Sequence, residues 1–126
     1  ERQRDDIAVE RDYADGELVC RLDPEQIQQV ILNLLQNATQ AMPEGGTLHI
    51  RVAAEGDAGV LCVGDTGIGM EDEVRDKLFT PFFTTKEDGT GLGLVTSKKI
   101  VEAHSGSIRV DSHPGQGTQF YVNLPQ

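Results

Sequence analysis

Basic residues are scarce in this chain: 11 Lys and Arg stand against 21 Asp and Glu, a formal net charge of −10 over 126 residues. That balance repels polyanions and argues against a nucleic-acid partner, so an anionic ligand has to be captured by local features. Cysteine is nearly absent. Cys20 and Cys62 are the only two, each in an apolar strand-like segment and in no CxxC or Cys/His cluster, which leaves them as buried free thiols. No apolar run approaches membrane-spanning length, so no membrane contact is expected of this domain. The chain opens "ERQRDDIAVE" without a starting methionine or a signal-like core, and reads as a piece of something longer. Two nucleotide-binding signatures are also missing. Gly89, Gly91 and Gly93 are followed by Leu94 and Thr96 where GxGxxG needs its last glycine, and no GK[ST] ending makes a P-loop.

What is present is globular: 37% apolar and 25% charged residues, at a length suited to one domain, residues 1–126, with a single two-layer core. Residues 6–12 and 17–21 read as strands joined by a hairpin turn at Asp15-Gly16. In "DPEQIQQVILNLLQNATQAM", Asp23 is a natural N-cap, Pro24 suits the first helical position and Glu25 sits in the first turn. Ile27, Val30, Ile31, Leu34, Leu35 and Ala38 then recur at helical spacing and define a stripe for the core. "MPEGG" ends that helix, and strands follow at 47–54 and 58–64, the second apolar on both faces and hence central. A short helix near 71–77, a helix over 92–104 and strands near 106–111 and 117–123 complete the reading. This order predicts an α/β fold with a mixed sheet covered on one face by helices.

Three segments carry candidate chemistry. Asn33 and Asn37 lie four apart on one side of the first helix, flanking its apolar stripe; they are either solvated or, for Asn37, a hard amide oxygen for magnesium held together with phosphate. In "GDTGIGM" Asp65 closes an apolar strand, and Gly67 and Gly69 let the backbone turn or approach a ligand. DTG also marks aspartic proteases, but Ile68 stands where that family wants a small residue. "EDGTGLGLVTSKK" places loose backbone before a helix start, where first-turn N–H groups and the positive dipole end can receive phosphate. Lys86 could add a mobile charge there, and Phe79, Phe82 and Phe83 beside Pro81 read as a hydrophobic latch or as plain core.

Taken in order, "NLLQNA", "DTGIGM", "FTPFFTTK" and "GTGLGL" resemble the catalytic ATP-binding domain of sensor histidine kinases, within the gyrase/Hsp90/histidine kinase/MutL ATPase group. The resemblance runs from about residue 6 to 124, and "NAxQAMPxGG" with "PFFTTK" is similar to the nitrogen-regulatory type. It implies a two-layer α/β sandwich of the Bergerat type, a mostly antiparallel mixed sheet under about three helices. ATP and Mg²⁺ are the implied cofactors. Asn37 matches the magnesium asparagine, with Asn33 in the same box, and Asp65 the aspartate that accepts from the adenine amino group. Gly67 and Gly69 match glycines that admit the base and hinge the lid. Lys86 matches a lid lysine near the terminal phosphates, Thr90, Gly91, Leu92 and Gly93 the loop and helix start beside the triphosphate, and Thr118 a strand threonine near adenine.

Two departures modify that expectation. The ATP-hydrolysing relatives and anti-sigma serine kinases carry a general-base glutamate four residues before the metal asparagine, and here that residue is Asn33, which cannot take a proton. The basic residue that many histidine kinases carry three positions after it is here the neutral Gln40. The resemblance therefore implies transfer of the γ-phosphate to a histidine, with Asn37 and Lys86 serving catalysis, and slow intrinsic hydrolysis. An anti-sigma-type serine kinase and a silent nucleotide-binding module are the alternatives. None of His49, His104 or His113 has the setting of a phosphoacceptor: His49 is in a strand, His113 in a turn, and His104 complements a helix C-terminus. The expected partners are thus a dimerisation and phosphoacceptor domain outside this chain and a response regulator. A cytoplasmic location is expected, with membrane anchoring of the parent left open.

Overall fold

The computed structural model describes residues 6–13, 22–81 and 93–125. Five strands form one sheet, β1 (Ile7–Tyr13), β2 (Gly46–Glu55), β3 (Ala58–Asp65), β4 (Ser107–Ser112) and β5 (Thr118–Pro125), in the order β1-β2-β3-β5-β4. Three helices are interspersed: α1 (Pro24–Gln40), α2 (Asp72–Asp76) and α3 (Gly93–Ala103). β3 is central, as its two-sided apolar sequence requires. β1 pairs parallel with β2 and every other pairing is antiparallel, so the sheet is mixed. The second strand and turn of the expected N-terminal hairpin, residues 14–21, lie outside the described residues, as does Cys20.

α1 begins as its sequence dictates. Asp23 is extended, its carboxylate accepts from the N–H groups of Glu25 at 3.1 Å and Gln26 at 3.3 Å, and Pro24 takes the first turn where an N–H would have no partner. Ile27, Val30, Leu34 and Ala38 are buried, and Met42 just past the helix extends the stripe. They meet the inward face of the sheet at Leu48, Val63, Phe120, Val122 and Leu124, with Val101 of α3 between them. Full burial of each large aliphatic contributes roughly 1.5–3 kcal/mol before conformational entropy is charged against it. Gly45 and Gly46, at φ +88° and +149°, turn the chain from α1 into β2 in a conformation that side chains disfavour.

The ends of the two long helices are joined. His104 receives the backbone N–H of Asp23 on Nε2 at 3.0 Å while its Nδ1 bonds the Ile100 carbonyl at 2.8 Å. His104 thus closes the C-terminus of α3, as expected, and ties it to the N-cap of α1. The opposite face of the sheet carries Arg51, Cys62, Tyr121 and Arg109 in one cross-strand row. Cys62 is a buried free thiol whose Sγ meets Gln119 Oε1 at 3.5 Å; burial raises its pKa against the opposing pull of Arg51 and Arg109.

Candidate functional site

One end of the sheet breaks the apolar pattern of its inner face. Asp65, Thr118 and Ser112 are cross-strand partners on β3, β5 and β4, and all three are buried, Asp65 at 6% exposure. Among the described residues no cation pairs with Asp65. Its Oδ1 accepts the Gly67 N–H at 2.8 Å. Desolvation raises its pKa, and hydrogen bonds from the backbone of Gly67 and Thr118 only partly oppose that rise. A carboxylate in such a place is costly to keep unless something polar is brought to it.

The loop after β3 is interlocked with two other segments. Ile68 donates its N–H to the Ala41 carbonyl at the end of α1 at 3.0 Å, and its own carbonyl accepts from Gly115 in the β4–β5 turn at 2.7 Å. A Cβ on Gly67 would collide with the Ala41 carbonyl, and one on Gly69, at φ +69°, with the His113 carbonyl. A Cβ on Gly117, at φ +80°, would run into the Asp65 carbonyl. Two of the glycines expected to admit a ligand are therefore required by the fold itself. Thr66 accepts the Thr47 N–H at 2.9 Å and reaches Met42 Sδ at 3.8 Å, pinning the start of the loop. Ile68 is left 65% exposed beside Asp65.

Asn33, Asn37 and Ala41 succeed one another at intervals of one helical turn along α1. Ala41 holds the Asp65 loop, Asn33 faces the start of α3, and Asn37 lies between them, half-buried. Asn33 gives its two amide protons to the Gly93 carbonyl and Ser97 Oγ, each at 3.0 Å, and its oxygen accepts from Gln29 Nε2 at 3.0 Å. A direct ligand contact by Asn33 would therefore use the second lone pair of Oδ1 or exchange one of these bonds. Gly93 differs from Gly67 and Gly69: among the described residues a Cβ there would meet only Asn33 atoms, at 3.8 Å, an ordinary contact.

Asn33, Asn37, Asp65, Gly67, Gly69, Gly93 and Thr118 thus line one edge of the helix layer and the sheet end beneath it. Lys86, Thr90, Gly91 and Leu92, with Phe82 and Phe83, lie outside the described residues. Phe79, just before that segment, packs against the core, with Lys98 Nζ of α3 at 5.4 Å from its ring centroid. Sequence reasoning passed over Gln29, Ser97 and Ser112. A signal existed for the last two: Ser97 falls one turn before Val101 on the buried stripe of α3, and Ser112 continues the inward alternation Ile108, Val110. Among the described residues no group of three or more His, Cys, Asp or Glu could hold a metal ion.

The family description "Histidine kinase-, DNA gyrase B-, and HSP90-like ATPase" matches residues 22–126. Sporulation kinase E of Bacillus subtilis is 41% identical over 120 residues, 94% of this chain and 16% of that protein. The sensor histidine kinase ZraS of Escherichia coli is 46% identical over 104 residues, covering 82% and 22% respectively. The chain therefore spans about a sixth to a quarter of the length of these curated relatives. The solved catalytic domain of histidine kinase ThkA, in a nucleotide-free form, superposes with a TM-score of 0.85 at 34% identity, covering 95% of this chain and 79% of that one. Full-length ShkA in complex with AMPPNP gives 0.83 at 28% identity over 94% of this chain and 25% of that one.

Proposed function

The chain belongs to the histidine kinase-, DNA gyrase B- and HSP90-like ATPase family, and from that membership we propose that it binds ATP with Mg²⁺ and presents the γ-phosphate to a histidine on a separate dimerisation domain. The observation that carries this reading is the buried Asp65 at the sheet end, with no cation paired to it among the described residues, on the same side of the molecule as Asn37 and the start of α3. Asp65 offers an acceptor to the amino group of adenine, and burial makes that bond count for more than it would in water. Asn37, on the same edge, supplies an amide oxygen of the hard type that Mg²⁺ takes alongside phosphate oxygens. Held there by Asn37, Mg²⁺ would supply positive charge against the phosphate oxygens. The first turn of α3 provides N–H groups for the triphosphate, and the sequence resemblance assigns Lys86, Thr90, Gly91 and Leu92 to the same task. Phosphoryl transfer asks for positioning and charge stabilisation more than covalent chemistry, so the residues of this chain bind and orient while the acceptor arrives from elsewhere.

Asn33 in place of a general-base glutamate speaks against fast hydrolysis and against a serine kinase, because its amide protons are spent on α3 and it has no basic lone pair. The partners in this reading are the dimerisation and phosphoacceptor domain of the parent protein and, downstream, a response regulator, in a cytoplasmic setting. Titration with Mg-ATP, followed by radiolabelled ATP in the presence of that phosphoacceptor domain, tests the reading. Binding and an acid-labile, base-stable label are expected. Acid-stable label would assign a serine kinase, and binding without any label a silent module.

A further inference from the structure

We infer that Ser112 is a positioning residue for base recognition: it fixes the direction of the Thr118 hydroxyl proton, and through it the preference of the site for a 6-amino over a 6-oxo purine nucleotide. The inference rests on the ATP-site reading above and goes beyond it by assigning a residue that makes no contact with the ligand.

Ser112 occupies an inward position of β4 that the alternation Ile108, Val110 would fill with an apolar side chain. It is 2% exposed and sits directly across from Thr118, itself buried, which in turn sits across from Asp65. Its backbone carbonyl accepts from Arg75 Nη1 at 3.2 Å, and the Arg75 side chain is held in turn by Asp72 at 3.0 Å, so α2 braces the residue from outside. The Ser112 hydroxyl has one proton. It donates to the Gly117 carbonyl at 3.0 Å, while Thr118 Oγ1 lies 2.8 Å from Ser112 Oγ. Either hydroxyl could donate within that pair, and the one arrangement that makes both bonds at once sends the serine proton to Gly117 and has Thr118 donate to Ser112. The Thr118 proton therefore points toward β4, away from Asp65.

That direction has a chemical consequence at the open end of the row. Asp65 presents a carboxylate, an acceptor, and Thr118 presents lone pairs, also acceptors. A base edge carrying an amino group meets complementary partners there. One carrying a carbonyl at the same place faces two acceptors, and discrimination of this kind is large because a buried polar group is left unmatched. Remove the serine acceptor and the Thr118 proton is released to turn toward the ligand, where it can satisfy a carbonyl. Ser112→Ala should therefore relax selectivity rather than merely weaken binding.

The experiment measures the dissociation constants of Mg-ATP and Mg-ITP by calorimetry for wild type, Ser112→Ala, Ser112→Cys, Thr118→Val and the Ser112→Ala/Thr118→Val double variant, with a thermal midpoint for each. The Kd ratio of ITP to ATP should fall by about tenfold in Ser112→Ala, the scale of one misdirected hydrogen bond. Ser112→Cys keeps the volume with a poor acceptor, so it preserves folding if the alanine variant does not, and should show the same fall to a smaller degree. In the Thr118→Val background Ser112→Ala should leave the ratio unchanged, because the proton it governs is gone. Equal weakening of both nucleotides, or an unchanged ratio in a folded variant, would overturn the inference while leaving ATP binding standing. A wild type that binds neither nucleotide would overturn the site reading, and the inference with it.

Discussion

Asp65 concentrates the largest single conflict between stability and function in the molecule. Its carboxyl is buried with no cation beside it among the described residues, and desolvation raises its pKa in the folded chain. The sign of the linkage follows directly: a group raised on folding stabilises the fold below its unfolded pKa, and that contribution is lost as pH rises through the folded value. Denaturant unfolding across the acidic range should therefore show wild type gaining stability relative to Asp65→Asn as pH falls; a flat difference would contradict the burial argument. At neutral pH the same variant should lie within about 1 kcal/mol of wild type, since an amide oxygen can still accept from Gly67, while ATP affinity drops about tenfold or more because the amide can turn a donor toward the adenine amino group. Gly93 gives the complementary residue-scale test. Among the described residues its hypothetical Cβ meets only ordinary contacts, so Gly93→Ala should fold with an unchanged midpoint yet bind ATP more weakly, whereas Gly69→Ala should lose stability outright. That Asp65 closes an apolar strand and that Gly93 stands at a helix start was legible in the sequence. What could not be read was that Gly67 and Gly69 are demanded by the Ala41 and His113 carbonyls, because those contacts bring together residues far apart in the chain.

At the scale of elements, α3 is fastened to α1 at both of its own ends, its start by Asn33 in the middle of α1 and its end by His104 at the Asp23 cap. The first fastening sits beside the phosphate end of the proposed site; the second is remote from it. Ser97→Ala should cost about 1 kcal/mol of stability, lower hydrogen-exchange protection in the first turn of α3, and slow phosphotransfer. His104→Ala should cost a similar amount of stability yet leave labelling of the phosphoacceptor domain intact, and loss of labelling would reopen the question of which histidine is modified. Helix boundaries were read to within a residue or two, since caps, prolines and the apolar stripe encode them locally. The Asn33–Ser97 bond escaped notice because the stripe position that marks Ser97 as buried does not name its partner some sixty residues away.

For the whole molecule, the sheet order β1-β2-β3-β5-β4 places the Asp65 end of β3 between β2 and β5, so the loops that follow β3 and β4 meet over one edge of α1. The α/β class, the mixed sheet and the central position of β3 followed from patterning, whereas the parallel pairing of β1 with β2 did not, because it is a long-range choice that periodicity does not specify. A ligand held by the folded chain alone must stabilise it as a unit. ATP with Mg²⁺ at about a hundredfold over its dissociation constant should add about 2.7 kcal/mol and lift the thermal midpoint by roughly 10 °C. Asn37→Ala should erase the part of that lift that depends on Mg²⁺, and a shift insensitive to both metal and variant would unseat Asn37 as the metal ligand.

The backbone-on-backbone fit of Gly67, Gly69 and Gly117 has an evolutionary corollary. Because carbonyls of Ala41, His113 and Asp65 exclude a side chain at those three places, a descendant that abandoned nucleotide altogether would still be obliged to keep them. Their persistence in a sequence therefore diagnoses the architecture and not the chemistry. Asp65 and Asn37, whose side chains the proposed site uses, are where inactivity would first be written.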